Sequence, residues 1–344
     1  MRLRHEPLDL ETRHEFRISS AGPRRLHENL LVRIEHDGIA GLGEAAPARY
    51  YGESRALAGA ALDAWAPLLG EDPFALEPLG ARLDAALAGQ HAARAALDMA
   101  LHDWIGKRLG LPVWRLLGLD AAAAPASCVT LGLADPAEME EKLDSVLDFP
   151  LVKVKLGAPG DVENLRRVRR RYAGRLQVDA NAAWSPAEAV RVLRAIEPLG
   201  IELVEQPVAR ADLDGLRWVR ERSGIPVFAD ESVHDLADVG KLVGRVDGVN
   251  LKLMKTGGLR EALRMIHAAR ALGLKVMLGS MVESSLALSA AAQLAPLADY
   301  LDLDGHWLLR EDPFEGAPGE RGVIALGQRP GLGVVPARPA GGTA

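Results

Sequence analysis

Apolar residues in the second part of the chain occur in short runs, each followed by a turn and a segment with helical spacing. In order, these runs are CVTLGL, LVKVKL, RLQVDA, IELVEQ, IPVFAD, GVNLKL, KVMLGS and DYLDLD. Their marker residues are 23 to 26 residues apart: Val129, Lys153, Val178, Leu203, Phe228, Leu251, Met277 and Leu301. A repeat of this length is typical of a strand followed by a helix. Eight such units with right-handed crossovers predict a closed parallel barrel.

The first part of the chain has a different pattern. Residues 30–45, LLVRIEHDGIAGLGEA, predict two antiparallel strands joined at Asp37-Gly38, because both positions of this dipeptide tolerate the positive φ of a tight hairpin. From about residue 54 to residue 117 the chain is rich in Ala and Leu with helical spacing, and Gly110-Leu111-Pro112 is typical of a helix end. This pattern predicts an α+β domain.

Three regions follow from these patterns. We expect an α+β domain over residues 1–118, the barrel over residues 119–310, and a Gly- and Pro-rich tail over residues 311–344 that packs back on the first domain. Within the α+β domain, the helical acids Asp98 and Asp103 are interpreted as solvated or capping groups.

The composition is that of an ordinary globular protein. The 344 residues are 48% hydrophobic with a net charge of −6 and interspersed acids and bases, so no basic stripe indicates a nucleic acid or an anionic membrane as partner. The N-terminus lacks an apolar signal segment, and no apolar stretch approaches the roughly 18 residues of a membrane span, so we expect a cytoplasmic protein. The single cysteine, Cys128, is expected to be a small buried apolar residue.

Charged residues late in the apolar runs need an explanation, because both faces of a parallel barrel strand are covered. In LVKVKL, Lys153 and Lys155 share one face of the strand by parity. The other polar residues at strand ends are Asp179, Asn181, Glu205, Asp230, Lys252, Asp302 and Asp304. All are predicted to meet at the C-terminal mouth of the barrel, where barrel enzymes have their active sites.

Asp179, Glu205 and Asp230 end consecutive strands, so three carboxylates are predicted to lie close together. Taken alone, each is explained as well by a helix cap or a turn. Taken together, they would repel one another strongly without a cation. An all-oxygen site of three carboxylates suits Mg²⁺ better than Zn²⁺, which prefers His and Cys.

The lysines fit a role in proton transfer. A lysine with an ordinary pKa of about 10.4 stays charged at pH 7, so a lysine base needs a lowered pKa. Lys153 beside Lys155, with a cation and burial around them, is expected to lower the pKa of one of the two. Lys252 is predicted to face Lys155 across the mouth. Two bases on opposite faces of a metal-bound carboxylate can remove a proton from one side and return one from the other, which inverts a stereocentre.

The ordered set of motifs resembles the enolase superfamily, specifically its muconate-lactonizing subgroup and most closely the dipeptide epimerases. The matching segments are GEAAPARYYGES and ARAALDMALHDWIGKRLGLPVWRLLG in the first domain, then KVK, DAN, VEQP, ADES, KLMKTGG, GSMVESS and DLD. The resemblance implies a modified (β/α)7β barrel under an α+β capping domain that the C-terminal tail completes. It also implies one Mg²⁺ per subunit, held by Asp179, Glu205 and Asp230, which binds the substrate carboxylate and stabilises its enediolate.

The same resemblance implies roles for further residues. Lys155 and Lys252 would be the opposed bases, with Lys155 acting on the D-configured centre, while Lys153 would support the carboxylate and lower the pKa of Lys155. Asp302 and Asp304 would receive the free α-ammonium of a dipeptide. Asn181 would support the site. Substrate-binding roles are implied for Thr130, Ser280 and Val282, which are also consistent with plain barrel packing.

Two positions qualify the resemblance. Family members that act on L-Ala-D/L-Glu tend to have an arginine in the loop after the first strand, where EFRISSAGPRR places Ala21, and Arg24 and Arg25 are candidates to replace it. By its place in the family pattern, Lys252 rather than Lys255 is implied to be the base, and strand parity agrees, because Lys255 falls on the opposite parity at the start of a Thr-Gly-Gly turn.

The resemblance thus implies a Mg²⁺-dependent dipeptide epimerase that transfers a proton at the α-carbon of the C-terminal residue, with L-Ala-D/L-Glu as a candidate substrate. The alternative is an N-acylamino-acid racemase or an o-succinylbenzoate synthase, whose substrates bring no ammonium for Asp302 and Asp304. A non-catalytic structural or binding barrel is the alternative from another class, and the presence of both lysines and all three carboxylates argues against it. The dipeptide side chains and the formation of a homo-oligomer stay open.

Overall fold

The computed structural model describes residues 1–18, 21–133 and 136–337. Its first element is an antiparallel sheet in the order β1-β2-β3. The strands are β1 (Arg2–Ile18), β2 (Ala21–His36) and β3 (Ile39–Ala45). Asp37 and Gly38 have φ angles of 47° and 74°, which confirms the predicted tight turn between β2 and β3.

Four helices complete this part of the chain: α1 (Arg55–Trp65), α2 (Leu76–Ala86), α3 (His91–Leu109) and α4 (Val113–Leu116). The central helix, α3, lies very close to β3. A Cβ atom at Gly41 or Gly43 would come within 1.9 Å of a carbonyl oxygen of α3, so only glycine allows this approach. As predicted, α3 stops before Gly110, which caps the helix with a φ of 70°.

The barrel prediction is confirmed. Eight parallel strands follow one another in sequence order, and the Cys128 N–H donates to the Leu301 oxygen at 2.9 Å to join the two ends of the sheet. The strands are β4 (Val129–Leu131), β5 (Leu151–Lys155), β6 (Arg175–Asp179), β7 (Ile201–Glu205), β8 (Val227–Ala229), β9 (Gly248–Lys252), β10 (Lys275–Gly279) and β11 (Tyr300–Asp302). Cys128 is buried, as expected.

Several of the helices around the barrel present one apolar face to the strands. The helix Asp161–Arg171, for example, buries Leu165 and Val168 and has charged residues at most of its other positions. They are α5 (Pro136–Asp144), α6 (Asp161–Arg171), α7 (Pro186–Ile196), α8 (Leu213–Arg220), α9 (Leu236–Leu242), α10 (Leu253–Thr256), α11 (Leu259–Ala271), α12 (Ser285–Ala292) and α13 (Gly305–Leu308). Short 3-10 turns lie at Arg49–Tyr51, Ala66–Leu68, Ala121–Ala123, Glu197–Leu199, Ala295–Leu297 and Glu320–Gly322. Within the described residues, no helix has both the length and the apolar character needed to cross a membrane.

The two helical acids of α3 join parts of the chain that are distant in sequence. Asp98 accepts hydrogen bonds from the first N–H groups of α11, at 2.7 Å for Leu259, and Asp103 accepts from the N–H groups of Leu42 and Leu332 at 2.9 Å. Both carboxylates are buried. The interpretation as solvated groups is therefore wrong, and the capping role of Asp98 applies to a barrel helix rather than to its own helix.

The C-terminal tail contains two short antiparallel strands, β12 (Phe314–Glu315) and β13 (Val335–Pro336). Between them, Gly331 exchanges two backbone hydrogen bonds of 3.0 Å with Leu111 and Val113 at the end of the first domain. These contacts agree with a tail that packs back on that domain. The domain limits at residues 118 and 310 stay predictions, and residues 338–344 lie outside the described part of the chain.

Candidate active site

The C-terminal mouth of the barrel opens into a cavity of about 490 Å³ between the barrel and the first domain. The barrel side is lined by residues at or after strand ends: Thr130, Lys155, Asn181, Asp230, Glu231, Lys252, Ser280, Met281, Val282, Asp302, Asp304 and Leu308. The opposite side is lined by Gly22, Arg24, His27, Asn29 and the segment Ala46–Tyr51. Most of the polar residues singled out in the sequence thus meet in one cavity.

Asp179, Glu205 and Asp230 form a compact carboxylate cluster. Each is buried and offers one oxygen, and these three oxygens lie within 4.8 Å of one another. Asp179 pairs with Glu205 across β6 and β7, and Asp230 follows the end of β8. The strand-end pattern predicts this convergence, because neighbouring parallel strands end at the same edge.

The charges in the cluster influence one another strongly. Burial and the neighbouring charge of Asp179 raise the pKa of Glu205 to about 8. Burial would also raise the pKa of Asp230, but Lys252 and Lys255 outweigh it and hold that pKa well below its usual range. Three crowded carboxylates with no His or Cys among them are a donor set suited to Mg²⁺, which prefers oxygen ligands.

Lys155 and Lys252 lie on opposite sides of the cavity. They end β5 and β9, the second and sixth of eight barrel strands, and both line the cavity. The Lys155 Nζ lies 2.6 Å from an Asp179 oxygen, and the Lys252 Nζ lies 2.7 Å from an Asp230 oxygen. Two amine groups therefore approach the carboxylate cluster from two directions.

Lys153 has a different environment from Lys155. It is completely buried beneath the cavity, with its Nζ 2.6 Å from Asp302, 2.8 Å from Glu205 and 3.2 Å from Asp179. Burial alone would lower the pKa of Lys153, but these three carboxylates outweigh it and raise the pKa well above its usual range. Lys153 is therefore a fixed positive charge that shares the Asp179 carboxylate with Lys155.

Lys255 also belongs to the site, which strand parity failed to show. It is completely buried, and its Nζ lies 2.5 Å from an Asp230 side-chain oxygen and 2.9 Å from the Asn250 carbonyl oxygen. Strand parity does not describe this position, because β9 ends at Lys252 and the short helix α10 turns Lys255 back under Asp230. Lys252 lines the cavity whereas Lys255 lies beneath it, which agrees with the choice of Lys252 as the base.

Asp302 and Asp304 form a second acidic group on the cavity wall, next to Thr130. The Thr130 hydroxyl donates to Asp302 at 3.3 Å, and the Thr130 N–H donates to Asp304 at 2.6 Å. Burial would raise the pKa of Asp302, but Lys153 and Lys155 hold it below its usual range; burial and the charge of Asp302 raise the pKa of Asp304 to about 6. A cationic group from a ligand would be stabilised between these two carboxylates.

The first domain holds the loop that carries Ser280 and Val282, and sequence reasoning missed this contact. Glu44 of β3 is completely buried and accepts hydrogen bonds from the Asn29 side chain at 2.7 Å and from the Ser284 N–H at 3.1 Å. Asn29 also donates to the Val282 carbonyl oxygen at 3.1 Å. The motif GEAAP marked this region in the sequence, but no local signal links residue 44 to residue 284.

Glu231 of the cavity wall was also missed, whereas one of the two candidate arginines does lie in that wall. Glu231, directly after Asp230, accepts from the Asn181 side chain at 3.3 Å. Of the two arginines near the start of β2, Arg24 lines the cavity, whereas Arg25 donates to the Arg13 carbonyl oxygen at 2.9 Å. The side chain of Ala21 lies outside the described residues.

A barrel with three carboxylates and two opposed lysines at its mouth, beneath an α+β domain, defines the class of enolase-type barrel proteins. Residues 10–118 match the model described as the N-terminal domain of mandelate racemase/muconate lactonizing enzyme, and residues 136–340 match the model described as enolase C-terminal domain-like. The chain belongs to the mandelate racemase/muconate lactonizing enzyme family of the enolase superfamily, which confirms the resemblance seen in the sequence.

Individual proteins are similar over nearly the whole chain. An L-Ala-D/L-Glu epimerase of Bacteroides thetaiotaomicron is 37% identical over 342 residues, which are 97% of this chain and 88% of that protein. The crystal structure of a dipeptide epimerase from Enterococcus faecalis, complexed with Mg and L-Leu-L-Tyr, is 32% identical, with a TM-score of 0.92 over 97% of this chain and 98% of the other. An N-succinyl Arg/Lys racemase from Bacillus cereus is 29% identical, with a TM-score of 0.92 over 97% and 95% of the two chains.

Proposed function

We propose that this protein is a Mg²⁺-dependent dipeptide epimerase that inverts the α-carbon of the C-terminal residue. One observation carries the proposal: a single cavity is lined by two lysines on opposite sides, Lys155 and Lys252, and by the Asp302/Asp304 pair. Opposed lysines suit removal and return of a proton, and the acidic pair suits the free ammonium of a dipeptide. The epimerases among the similar proteins support the same reaction.

Asp179, Glu205 and Asp230 would hold one Mg²⁺ per subunit. When bound, this ion would hold the substrate carboxylate and stabilise the negative charge that develops as the α-proton leaves. The donor set supports this assignment, since all three ligands are carboxylate oxygens, all are buried, and they lie within 4.8 Å of one another. Lys153 keeps its charge beside them and would support the substrate carboxylate, while Asn181 would support the site.

The proton transfers are assigned to the two cavity-lining lysines. The neutral amine of one lysine accepts the α-proton, and the ammonium of the other donates a proton to the opposite face of the same carbon. The number of protons on the two lysines together is unchanged by one turnover. Lys155 is assigned to the D-configured centre and Lys252 to the L-configured centre.

The rest of the cavity would bind and enclose the dipeptide. Thr130, Ser280 and Val282 line the wall near the proposed ammonium site. Residues 1–118, together with the tail from residue 311, would act as the capping domain, because the segments that line the cavity opposite the barrel come from residues 22–51. L-Ala-D/L-Glu is one candidate substrate, supported by the similar epimerase and by the presence of Arg24 in the cavity wall.

The test is hydrogen exchange in D₂O. The protein is incubated with Mg²⁺ and a library of L,L-dipeptides, and mass spectrometry follows deuterium at the α-carbon of the C-terminal residue. We expect incorporation with at least one dipeptide, together with formation of its L,D isomer. The second candidate, racemisation of N-succinylamino acids, is favoured by the similar racemase. Exchange of N-succinylamino acids with no exchange of any dipeptide would refute the epimerase and support that candidate.

A further inference from the structure

Two buried side chains beside the carboxylate cluster have no part in the assigned proton transfers. The side-chain amide of Asn250, on β9, donates to Glu205 Oε1 at 2.9 Å, and the Lys255 Nζ donates to Asp230 Oδ1 at 2.5 Å. Asn250 and Lys255 are completely buried, and neither lines the cavity. The Lys255 Nζ also donates to the Asn250 carbonyl oxygen at 2.9 Å, which links the two residues. Glu205 and Asp230 thus each have one oxygen held by a buried donor.

The second oxygen of each carboxylate has a donor that can leave it. Glu205 Oε2 lies 2.8 Å from the Lys153 Nζ, and Lys153 would still have its ion pair of 2.6 Å with Asp302 if an ion replaced it there. Asp230 Oδ2 lies 2.7 Å from the Lys252 Nζ, and Lys252 lines the cavity, where water or a ligand can accept its hydrogen bonds. One oxygen of each carboxylate is therefore available to an ion.

The two buried donors have no such alternative. An ion on Asp230 Oδ1 would separate Lys255 from its ion-pair partner and place a second positive charge beside it, in a site with no exposed surface. An ion on Glu205 Oε1 would turn the Asn250 amide away from its acceptor. That amide has little room to turn, because a Cβ atom at Gly279 would lie 2.6 Å from its oxygen. Contact of one ion with both oxygens of either carboxylate is therefore disfavoured.

We propose that Asn250 and Lys255 are positioning residues that limit Glu205 and Asp230 to one oxygen each toward the ion, and that this limit selects Mg²⁺ over Ca²⁺. Mg²⁺ demands a nearly octahedral set of oxygens, whereas the larger Ca²⁺ accepts more oxygens and often binds both oxygens of a carboxylate. This inference rests on the metal site of the proposed function and concerns two residues that would not touch the ion.

Titration of the metal-free protein tests the selection. After treatment with EDTA and dialysis, isothermal titration calorimetry gives the Kd of Mg²⁺ and the Kd of Ca²⁺ for each variant. In Asn250→Leu and in Lys255→Met, the ratio of the Ca²⁺ Kd to the Mg²⁺ Kd should fall at least about tenfold, because a released carboxylate can offer Ca²⁺ both oxygens. The lost charge of Lys255 and any general weakening of the site act on both divalent ions alike, so the ratio does not respond to them.

Gln177→Leu is the matched control. Gln177 is a completely buried amide of β6, and neither polar atom of its side chain has a hydrogen-bond partner among the described residues, so this variant should keep the ratio of the unchanged protein. Asn250→Leu carries the test if Lys255→Met does not fold, since it removes a side-chain oxygen that likewise has no partner in the described part of the chain.

The outcomes separate the selection from the proposed function. An unchanged ratio in folded Asn250→Leu or in folded Lys255→Met would overturn the selection, and the epimerase would still stand if dipeptides exchange deuterium in the presence of Mg²⁺. No binding of Mg²⁺ by the unchanged protein would refute the metal site, and the selection with it.

Discussion

Replacing Glu44 tests how the first domain holds the loop that lines the cavity. Its Oε1 accepts hydrogen bonds from the Asn29 side chain at 2.7 Å and from the Ser284 N–H at 3.1 Å, and its Oε2 accepts from the Ser284 hydroxyl. In Glu44→Gln, the amide oxygen can keep the first two bonds, and the amide NH₂ can donate to the Ser284 hydroxyl after that hydroxyl turns. Glu44→Leu fills the site with an apolar side chain of similar size that accepts no hydrogen bond.

The magnitude follows from the donors that lose their acceptor. In Glu44→Leu these are the Ser284 N–H, the Ser284 O–H and one Asn29 N–H, all in a fully buried site. A buried donor left unsatisfied costs about 1–3 kcal/mol, and burial of the leucine offsets part of the sum, so the free energy of unfolding should fall by about 3 kcal/mol. Glu44→Gln should cost about 1 kcal/mol or less, because its bonds are remade.

The assay is urea unfolding of both variants and the unchanged protein, followed by tryptophan fluorescence and by far-UV circular dichroism. Coincident transitions from the two probes allow a free energy of unfolding to be compared. Because Asn29 also holds the Val282 carbonyl oxygen, Glu44→Leu should raise KM for the dipeptide more than Glu44→Gln does. Equal stabilities of the Leu and Gln variants would refute the reasoning.

Three further predictions concern the bases, the metal and pH. Lys155→Ala and Lys252→Ala should each lower the rate of epimerisation by about 10²–10⁴-fold. At least one of these variants should retain deuterium exchange with a single stereoisomer. Equal loss of exchange with both stereoisomers in both variants would contradict the two-base assignment. Mg²⁺ at one hundred times its Kd should stabilise the folded protein by about 2.7 kcal/mol and so raise its Tm. Asp230→Asn should lose most of that Tm shift, and a shift of the same size in this variant would count against the carboxylate site. Burial and the neighbouring Glu44 raise the pKa of Glu283 to about 8. The folded protein therefore binds the carboxyl proton of Glu283 more tightly than the unfolded chain does. The stability that this proton contributes at pH 5 is lost as the pH rises through about 8. Glu283→Gln, whose amide oxygen can still accept from the Met281 N–H, should therefore lose less stability between pH 5 and pH 9 than the unchanged protein, and parallel pH profiles would disprove this.

The barrel and most of its polar mouth could be predicted from the sequence, because both depend on local periodicity. A spacing of 23 to 26 residues between apolar runs reflects the length of one strand and its helix, and that length is set by backbone geometry. Alternation along a strand places Lys153 and Lys155 on one face, and the shared edge of parallel strands brings Asp179, Glu205 and Asp230 together. These relations need no knowledge of how distant segments pack.

Parity does not, however, determine the environment of each charged group. Lys153 and Lys155 share a strand face, yet Lys153 is buried among three carboxylates while Lys155 lines the cavity. Parity did not reveal that Lys255 contacts Asp230, because the strand ends at Lys252 and a helical turn follows. Strand alternation stops where the strand stops, and that boundary is a property of the folded chain.

By itself, then, the sequence determined the repeating barrel and the set of residues at its mouth, because the period of buried positions can be seen in residues that are close together in the chain. Only the tertiary structure decided that Asp98 caps a barrel helix, that Glu44 holds Ser284, and that a second pocket adjoins Thr130. Each of these features joins segments separated by more than one hundred residues. Their hydrogen bonds and cavities arise from the packing of the first domain on the barrel, and no local pattern of apolar and polar residues encodes that packing.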